Sequence, residues 1–428
     1  MMVRDLTIGV IGAGSTYSPE LIDGFLKRQD ELSVKRFVLM DIDETKLEIV
    51  GGLVERIALT FDKKVEVVKT MRMEEAVDGA DYVVTQFRVG RLPARARDEK
   101  IPLKYDLIGQ ETTGPGGFAK ALRTIPEILK IARAMEKYSP DSWLINFTNP
   151  SGIVTEAVNK YSDVKVIGLC NQPITTHNYI AEELGVPSED LYMDYFGLNH
   201  LGWIRRLLLN GQDITAEAFD KIINSPRLDH ILGYHFTKDF LKALGLLPTG
   251  YLQYYYHTEE SLAKLKSQPR CRAEAVMEIE EQILELYKDP SLNEKPKMLE
   301  KRGGAWYSDA AVAVMSAIEN DKKELHIVNV PNNGAIDGLP RDSIIEVPAV
   351  VGKQGAVPLV VGEIPMGIRG LLQHVDAYEN LTVKAGAEGC KATALVALCS
   401  HPFIKSTDVA QRLLDELITA NQPYIQLS

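Results

Sequence analysis

A glycine turn between an apolar run and a helix start, all within the first twenty residues, restricts the fold more than any other stretch. Thr7-Ile8-Gly9-Val10-Ile11 reads as a buried strand and Gly12-Ala13-Gly14-Ser15 as a tight turn. Ser18-Pro19-Glu20 then opens a helix whose Leu21, Ile22, Phe25 and Leu26 share one face. Gly12 and Gly14 put no side chain between backbone amides and an anion, and the helix start adds unpaired N–H groups and a favourable dipole. A pyrophosphate fits such a turn. Tyr17 occupies the place of the third glycine of G-x-G-x-x-G, so the motif depends on its context. Phe37-Val38-Leu39-Met40 supplies that context, ending in Asp41, 27 residues after Gly14, where a carboxylate accepts the ribose hydroxyls of a dinucleotide. The competing reading is an ordinary glycine turn with Asp41 capping the next helix.

Strand and helix patterns keep alternating. Residues 65–68, 81–87, 143–147 and 164–169 read as strands. Leu47, Val50, Val54, Ile57 and Phe61 mark one helix and 119–138 another. The pattern predicts an α/β chain with a doubly wound parallel sheet, whose ligands lie beyond the carboxyl ends of the strands. Three strand ends carry polar residues: Gln86 and Arg88; Asn146, Thr148 and Asn149; Cys170 and Asn171. From Leu191 the alternation changes to strands over 191–198 and 201–208, with Asn210-Gly211 as a hairpin turn. A Rossmann-type domain is therefore expected over 1–195 and an α+β domain for substrate and self-association over 196–428. Thr407 is expected to cap a last helix burying Val409, Leu413, Leu417 and Ile418.

A net charge of −11 argues against nucleic acid or an anionic membrane as partner, so an anionic ligand needs a local basic cluster. Arg88, Arg91, Arg95 and Arg97 form one directly after a strand; guanidinium forks match phosphate or carboxylate. They read equally as a solvated helix start paired with Asp98 and Glu99. The first residues lack a long apolar segment and no run approaches about 20 apolar residues, so a cytoplasmic protein is expected. Cys170, Cys271, Cys390 and Cys399 are scattered, with no C-x-x-C, as reduced thiols are. Cys170 and His200, thirty residues apart, can hold a divalent transition metal with open positions, or be a buried thiol and a core histidine. Gly109 to Gly117 is either a ligand-closing loop or a connector, and Tyr251 in its aromatic run either core or base.

Ile11-Gly12-Ala13-Gly14-Ser15, Gln86-Phe87-Arg88, Gly109-Gln110-Glu111-Thr112 and Asn146-Phe147-Thr148-Asn149-Pro150 occur in order. Gly168-Leu169-Cys170-Asn171, Gly197-Leu198-Asn199-His200, Tyr251-Leu252-Gln253-Tyr254-Tyr255 and Arg272-Ala273-Glu274 follow them. Together they resemble glycoside hydrolase family 4, the NAD- and divalent-metal-dependent glycosidases, and most of all its 6-phospho-β-glucosidases. The resemblance implies a lactate/malate dehydrogenase-like sheet with NAD at Gly12, Gly14, Ser15, Asp41, Gln86 and Asn146. It implies Mn²⁺ on Cys170 and His200, Tyr251 as base, and a sugar 6-phosphate met by Arg95 and Asn149, with Arg88 and Arg272 at the substrate. It further implies hydride removal at C3, deprotonation at C2 and loss of the C1 group, followed by water addition and return of the hydride, in a homodimer or homotetramer. Asn171 stands where α-specific members carry an acidic aspartate, which leaves the group that protonates the leaving oxygen open. A 2-hydroxy-acid dehydrogenase and a non-catalytic NAD and sugar-phosphate sensor are the alternatives.

Overall fold

The computed structural model describes residues 4–302 and 307–428. Six strands run parallel: β1 (Leu6–Ile11), β2 (Val34–Met40), β3 (Glu66–Thr70), β4 (Tyr82–Thr85), β5 (Trp143–Asn146) and β6 (Lys165–Gly168). Their spatial order is β3-β2-β1-β4-β5-β6, so the direction of winding reverses between β1 and β4 and opens a crevice there. Helices cover both faces, and β1 and β4 are accordingly buried at every position. The helix Ser18–Lys27 buries Leu21, Ile22, Phe25 and Leu26 as their spacing predicts, with Phe25 5.7 Å from Phe37 of β2. Each such side chain contributes about 1.5–3 kcal/mol, which fixes the helix start over the end of β1.

The antiparallel hairpin of β7 (Leu191–Leu198) and β8 (Leu201–Leu209) follows, extended by β9 (Gln212–Asp213) and β10 (Leu247–Pro248). Asn210 and Gly211 both take positive φ (49° and 81°), as a tight two-residue hairpin turn needs. The expected boundary at 195/196 falls inside β7. Three later strands, β11 (Glu324–Pro331), β12 (Ile344–Gly352) and β13 (Gly355–Pro358), join the parallel sheet antiparallel beyond β6. The free edge of β6 is thereby paired, and the second half of the chain completes the sheet begun by the first. In the last helix, Thr407–Ala420, the N-cap is Ser406 rather than Thr407, and Leu413, Leu414 and Leu417 are buried while Val409 and Ile418 are only partly so. Among the described residues no helix is long and apolar enough to cross a membrane.

Candidate active site

Beyond the carboxyl ends of β1, β4 and β6 lies a cleft of about 1120 Å³, lined from both halves of the chain. Gly12 has φ +87° and a Cβ there would lie 2.7 Å from the Phe87 backbone; a Cβ on Gly14 would lie 2.8 Å from the Asp41 carboxylate. Close approach is therefore what the turn requires of its glycines. The Gly12 and Ala13 amides donate to Met40 O, Ser15 to Gly12 O and Gly14 to Asp41 Oδ2 at 2.8 Å, so these amides are engaged within the protein. This differs from an amide cradle: what the turn offers an anion is room and the helix dipole. Asp41 also accepts from the Asp43 amide (2.9 Å), which fixes its carboxylate on the cleft wall beside Ser15. Gln86, also on the wall, donates to Ser18 Oγ (2.8 Å) and ties the end of β4 to the helix start.

Asn146 departs from expectation. Its side chain is buried, accepts from Thr85 Oγ1 and the Thr148 amide (both 2.9 Å), donates to Thr155 Oγ1 (3.1 Å) and does not reach the cleft. It braces the loop after β5, and the residue this loop presents to the cleft is Asn149, whose buried Oδ1 has no partner among the described residues.

Cys170 ends the turn after β6 and serves as N-cap of the helix Asn171–Leu184, which sets Asn171 at the cleft. His200 occupies the tight β7–β8 turn with φ +64°. The two meet at 3.5 Å, Sγ to Nε2, and the Tyr251 ring stacks on the imidazole at 3.9 Å and 10°. Burial pushes the imidazole down to about 3, so it is neutral with a lone pair to give. Burial, reinforced by Glu346, pushes the thiol up to about 12. Only an added cation at the sulfur would make a thiolate favourable there. Glu346 is itself held by Tyr195 Oη (2.7 Å), Asn199 Nδ2 (2.9 Å) and Asn329 Nδ2 (3.0 Å). A 3.5 Å edge suits sulfur and nitrogen ligands at about 2.3 and 2.1 Å from one ion, subtending about 105°. The pair thus fits a divalent cation; among the described residues no group of three or more His, Cys, Asp or Glu converges, so substrate and water would complete the shell.

The basic segment satisfies both of its readings. Arg95 pairs with Glu99 (2.6 Å), as the helix reading expects, but also reaches Glu111 (3.0 Å) on the cleft wall. Asp98 instead takes the buried Arg123, and Arg91 reaches Asp43 (3.0 Å). Glu111 additionally binds Arg88 and Lys120 Nζ (2.7 Å). Burial would raise its pKa, but Arg88, Lys120 and Arg95 together hold it well below the usual carboxylate range. Burial and the neighbouring Arg88 bring Lys120 down to about 7 against the pull of Glu111. Arg95 stays charged because Glu111 and Glu99 outweigh its burial, with Tyr251 adding to them. Arg272, first residue of the helix Arg272–Tyr287, completes the basic wall. Glu111 and Lys120 carried no assigned role in the sequence. Glu111 sat inside the glycine-rich stretch, whose second half is the first turn of the helix Gly114–Tyr138, and a lysine in a helix reads as solvent-facing.

A dehydrogenase-like sheet whose switch-point crevice holds a thiol–imidazole pair, a tyrosine and a basic wall defines an α/β enzyme built for an anionic substrate. A lactate dehydrogenase from a Medee basin deep-sea metagenome library shares the fold (TM-score 0.55, 15% identity, 90% of this chain and 99% of that one). Residues 7–186 match the model for family 4 glycosyl hydrolases and residues 195–404 the model for their C-terminal domain; the chain belongs to this family. It is 45% identical to a probable 6-phospho-beta-glucosidase of Bacillus subtilis over 99% of this chain and 98% of that protein. It also superposes on the 6-phospho-beta glucosidase of Thermotoga maritima, solved with manganese, NAD+ and glucose-6-phosphate, at TM-score 0.92 and 38% identity over 99% and 100% of the two chains.

Proposed function

We propose that this chain is a 6-phospho-β-glucosidase that depends on NAD and a divalent metal, Mn²⁺ foremost. The observation that carries the reading is one cleft in which the Cys170–His200 pair, the Tyr251 ring, the basic wall and the glycine turn all meet. Its likeness to 6-phospho-β-glucosidases over nearly the whole chain supports the substrate class. When bound, NAD+ supplies reversible hydride removal at C3 of the sugar and the cation supplies Lewis-acid polarisation of the neighbouring oxygens.

This chain's residues do the rest. Gly12, Gly14, Ser15, Asp41 and Gln86 shape the dinucleotide pocket; Asn146 acts only by bracing the loop that carries Asn149. Arg95 and Asn149 hold the sugar 6-phosphate, with Arg88 and Arg272 at the substrate, and Cys170 and His200 are the metal ligands. Tyr251 Oη takes the C2 proton, which oxidation at C3 makes acidic, and the neighbouring Arg95 favours the phenolate. Asn171, an amide, orients substrate and cannot act as the acid for the leaving oxygen.

A chromogenic aryl 6-phospho-β-glucoside tests the reading. Cleavage should require NAD+ and a divalent cation, stop with chelator and leave no net NADH. Stoichiometric NADH release would mark a 2-hydroxy-acid dehydrogenase, and binding without turnover a sensor. Equal turnover by NAD-free, metal-free protein would end the proposal. A cytoplasmic setting, where NAD and sugar phosphates occur, goes with this function, as does a homodimer or homotetramer, which light scattering would read.

A further inference from the structure

The cleft has an outer end that the chemistry does not use. Asp41, which would take the adenosine ribose, accepts from the Asp43 amide; Asp43 pairs with Arg91; and Arg91 follows Gly90. A Cβ built on Gly90 would lie 3.2 Å from Tyr424 Cε2, so the tyrosine ring rests against that backbone. These contacts link the ribose acid to the chain's last residues around one rim. Two large apolar groups on that rim remain in the open: Ile42, 74% exposed, immediately after Asp41, and Tyr424, 43% exposed. An adenine attached to a ribose at Asp41 must lie further out than the ribose, between the segments after β2 and after β4.

We infer that the C-terminal segment closes the adenosine end of the cleft, with the Tyr424 ring as the face on which the adenine stacks. The inference rests on the NAD-dependent reading above and adds a residue to it. The segment is anchored for such a role: Ile425 is fully buried, the Tyr424 amide donates to Asn421 O (2.8 Å), and Ser428 and Gly389 are joined backbone to backbone (2.8 Å). A ring held on a fixed backbone loses little freedom when a ligand lands on it. Retention also suits the chemistry, because a dinucleotide that regains its hydride in every cycle has no reason to leave.

The test is equilibrium binding of NAD+, ADP-ribose and glucose 6-phosphate to full-length, nucleotide-stripped protein. Tyr424→Ala should weaken NAD+ and ADP-ribose alike by about tenfold, the scale of one aromatic–base stack. Glucose 6-phosphate should be unaffected, and Tyr424→Phe should bind all three as the parent does. If the parent binds NAD+ but Tyr424→Ala holds ADP-ribose within about twofold of it, the stacking inference falls and the enzyme reading stands. A parent that binds neither nucleotide overturns both. An equal loss for glucose 6-phosphate also overturns the inference, because the ring would then be supporting the whole cleft.

Discussion

Lys120→Met deletes a buried ammonium group while keeping most of its volume, and so isolates the charge arrangement at the cleft wall. Burial, with Arg88 adding to it and Glu111 opposing it, takes Lys120 from an ordinary 10.5 to about 7. Between those values the native protein binds fewer protons than the unfolded chain. Stability therefore rises with pH across the window, and the penalty is complete below about pH 7. At about 1.4 kcal/mol for each pH unit, the whole interval is worth at most about 5 kcal/mol. From about pH 7.5 to about pH 9.5 the parent should therefore gain about 2 to 3 kcal/mol relative to Lys120→Met. Glu111 remains ionised in the variant, since Arg88 and Arg95 still face it. The assay is urea unfolding of both nucleotide-free proteins at the two pH values, with the difference taken so that every other titrating group cancels. A difference that stays constant refutes the argument. One that reverses would show that the pairing with Glu111 outweighs burial and raises the lysine.

Tyr251→Phe should lower kcat by about 10²- to 10⁴-fold, the usual worth of a positioned general base, with NAD+ and glucose 6-phosphate affinity retained; stopped-flow turnover beside equilibrium binding checks it. Arg95→Ala should reduce kcat/KM for a phosphorylated aryl glucoside about 10- to 100-fold more than for its unphosphorylated counterpart, in line with a charge-assisted contact of about 1.5–3 kcal/mol; equal losses would remove Arg95 from the phosphate. Asp98→Asn strands the guanidinium of Arg123, which is buried along with its partner, and should cost about 3–5 kcal/mol in urea unfolding.

The parallel sheet was legible because its strands are buried on both faces and so stand out as apolar runs; β1, β2, β4, β5 and β6 lie where those runs predict. Cys170, His200 and Tyr251 come together as the resemblance implies, from a strand end, a hairpin turn and a segment fifty residues further on. Other features depended on tertiary context. Asn146 closes β5 and Asn149 lies in the loop that follows it, and only the fold shows that the first braces the second. The amides of the glycine turn look free in sequence, yet Met40 and Asp41, from a strand more than twenty residues away, take three of them. The pairing of β11, β12 and β13 beyond β6 is likewise silent in sequence, because nothing in residues 324–358 by itself says which sheet edge they will join.

Charge accounts for selectivity at this cleft better than shape does. The chain as a whole is anionic, at −11, yet Arg88, Arg95 and Lys120 converge on Glu111 and Glu99, three cations against two carboxylates, which leaves that cluster one positive charge over when Lys120 is protonated, with Arg272 exposed on the same cleft. Surplus charge on partly buried side chains carries a desolvation cost, which a phosphate dianion held there would relieve and a neutral sugar would leave in place. Discrimination by leaving the site's own groups unpaired reaches much larger factors than discrimination by fit to one extra methylene. The net charge of −11 repels anions at long range, so any electrostatic attraction of the substrate has to come from this local basic wall. The surplus also depends on pH: once pH passes about 7 Lys120 gives up its proton, the cluster's extra charge disappears, and phosphate affinity should weaken.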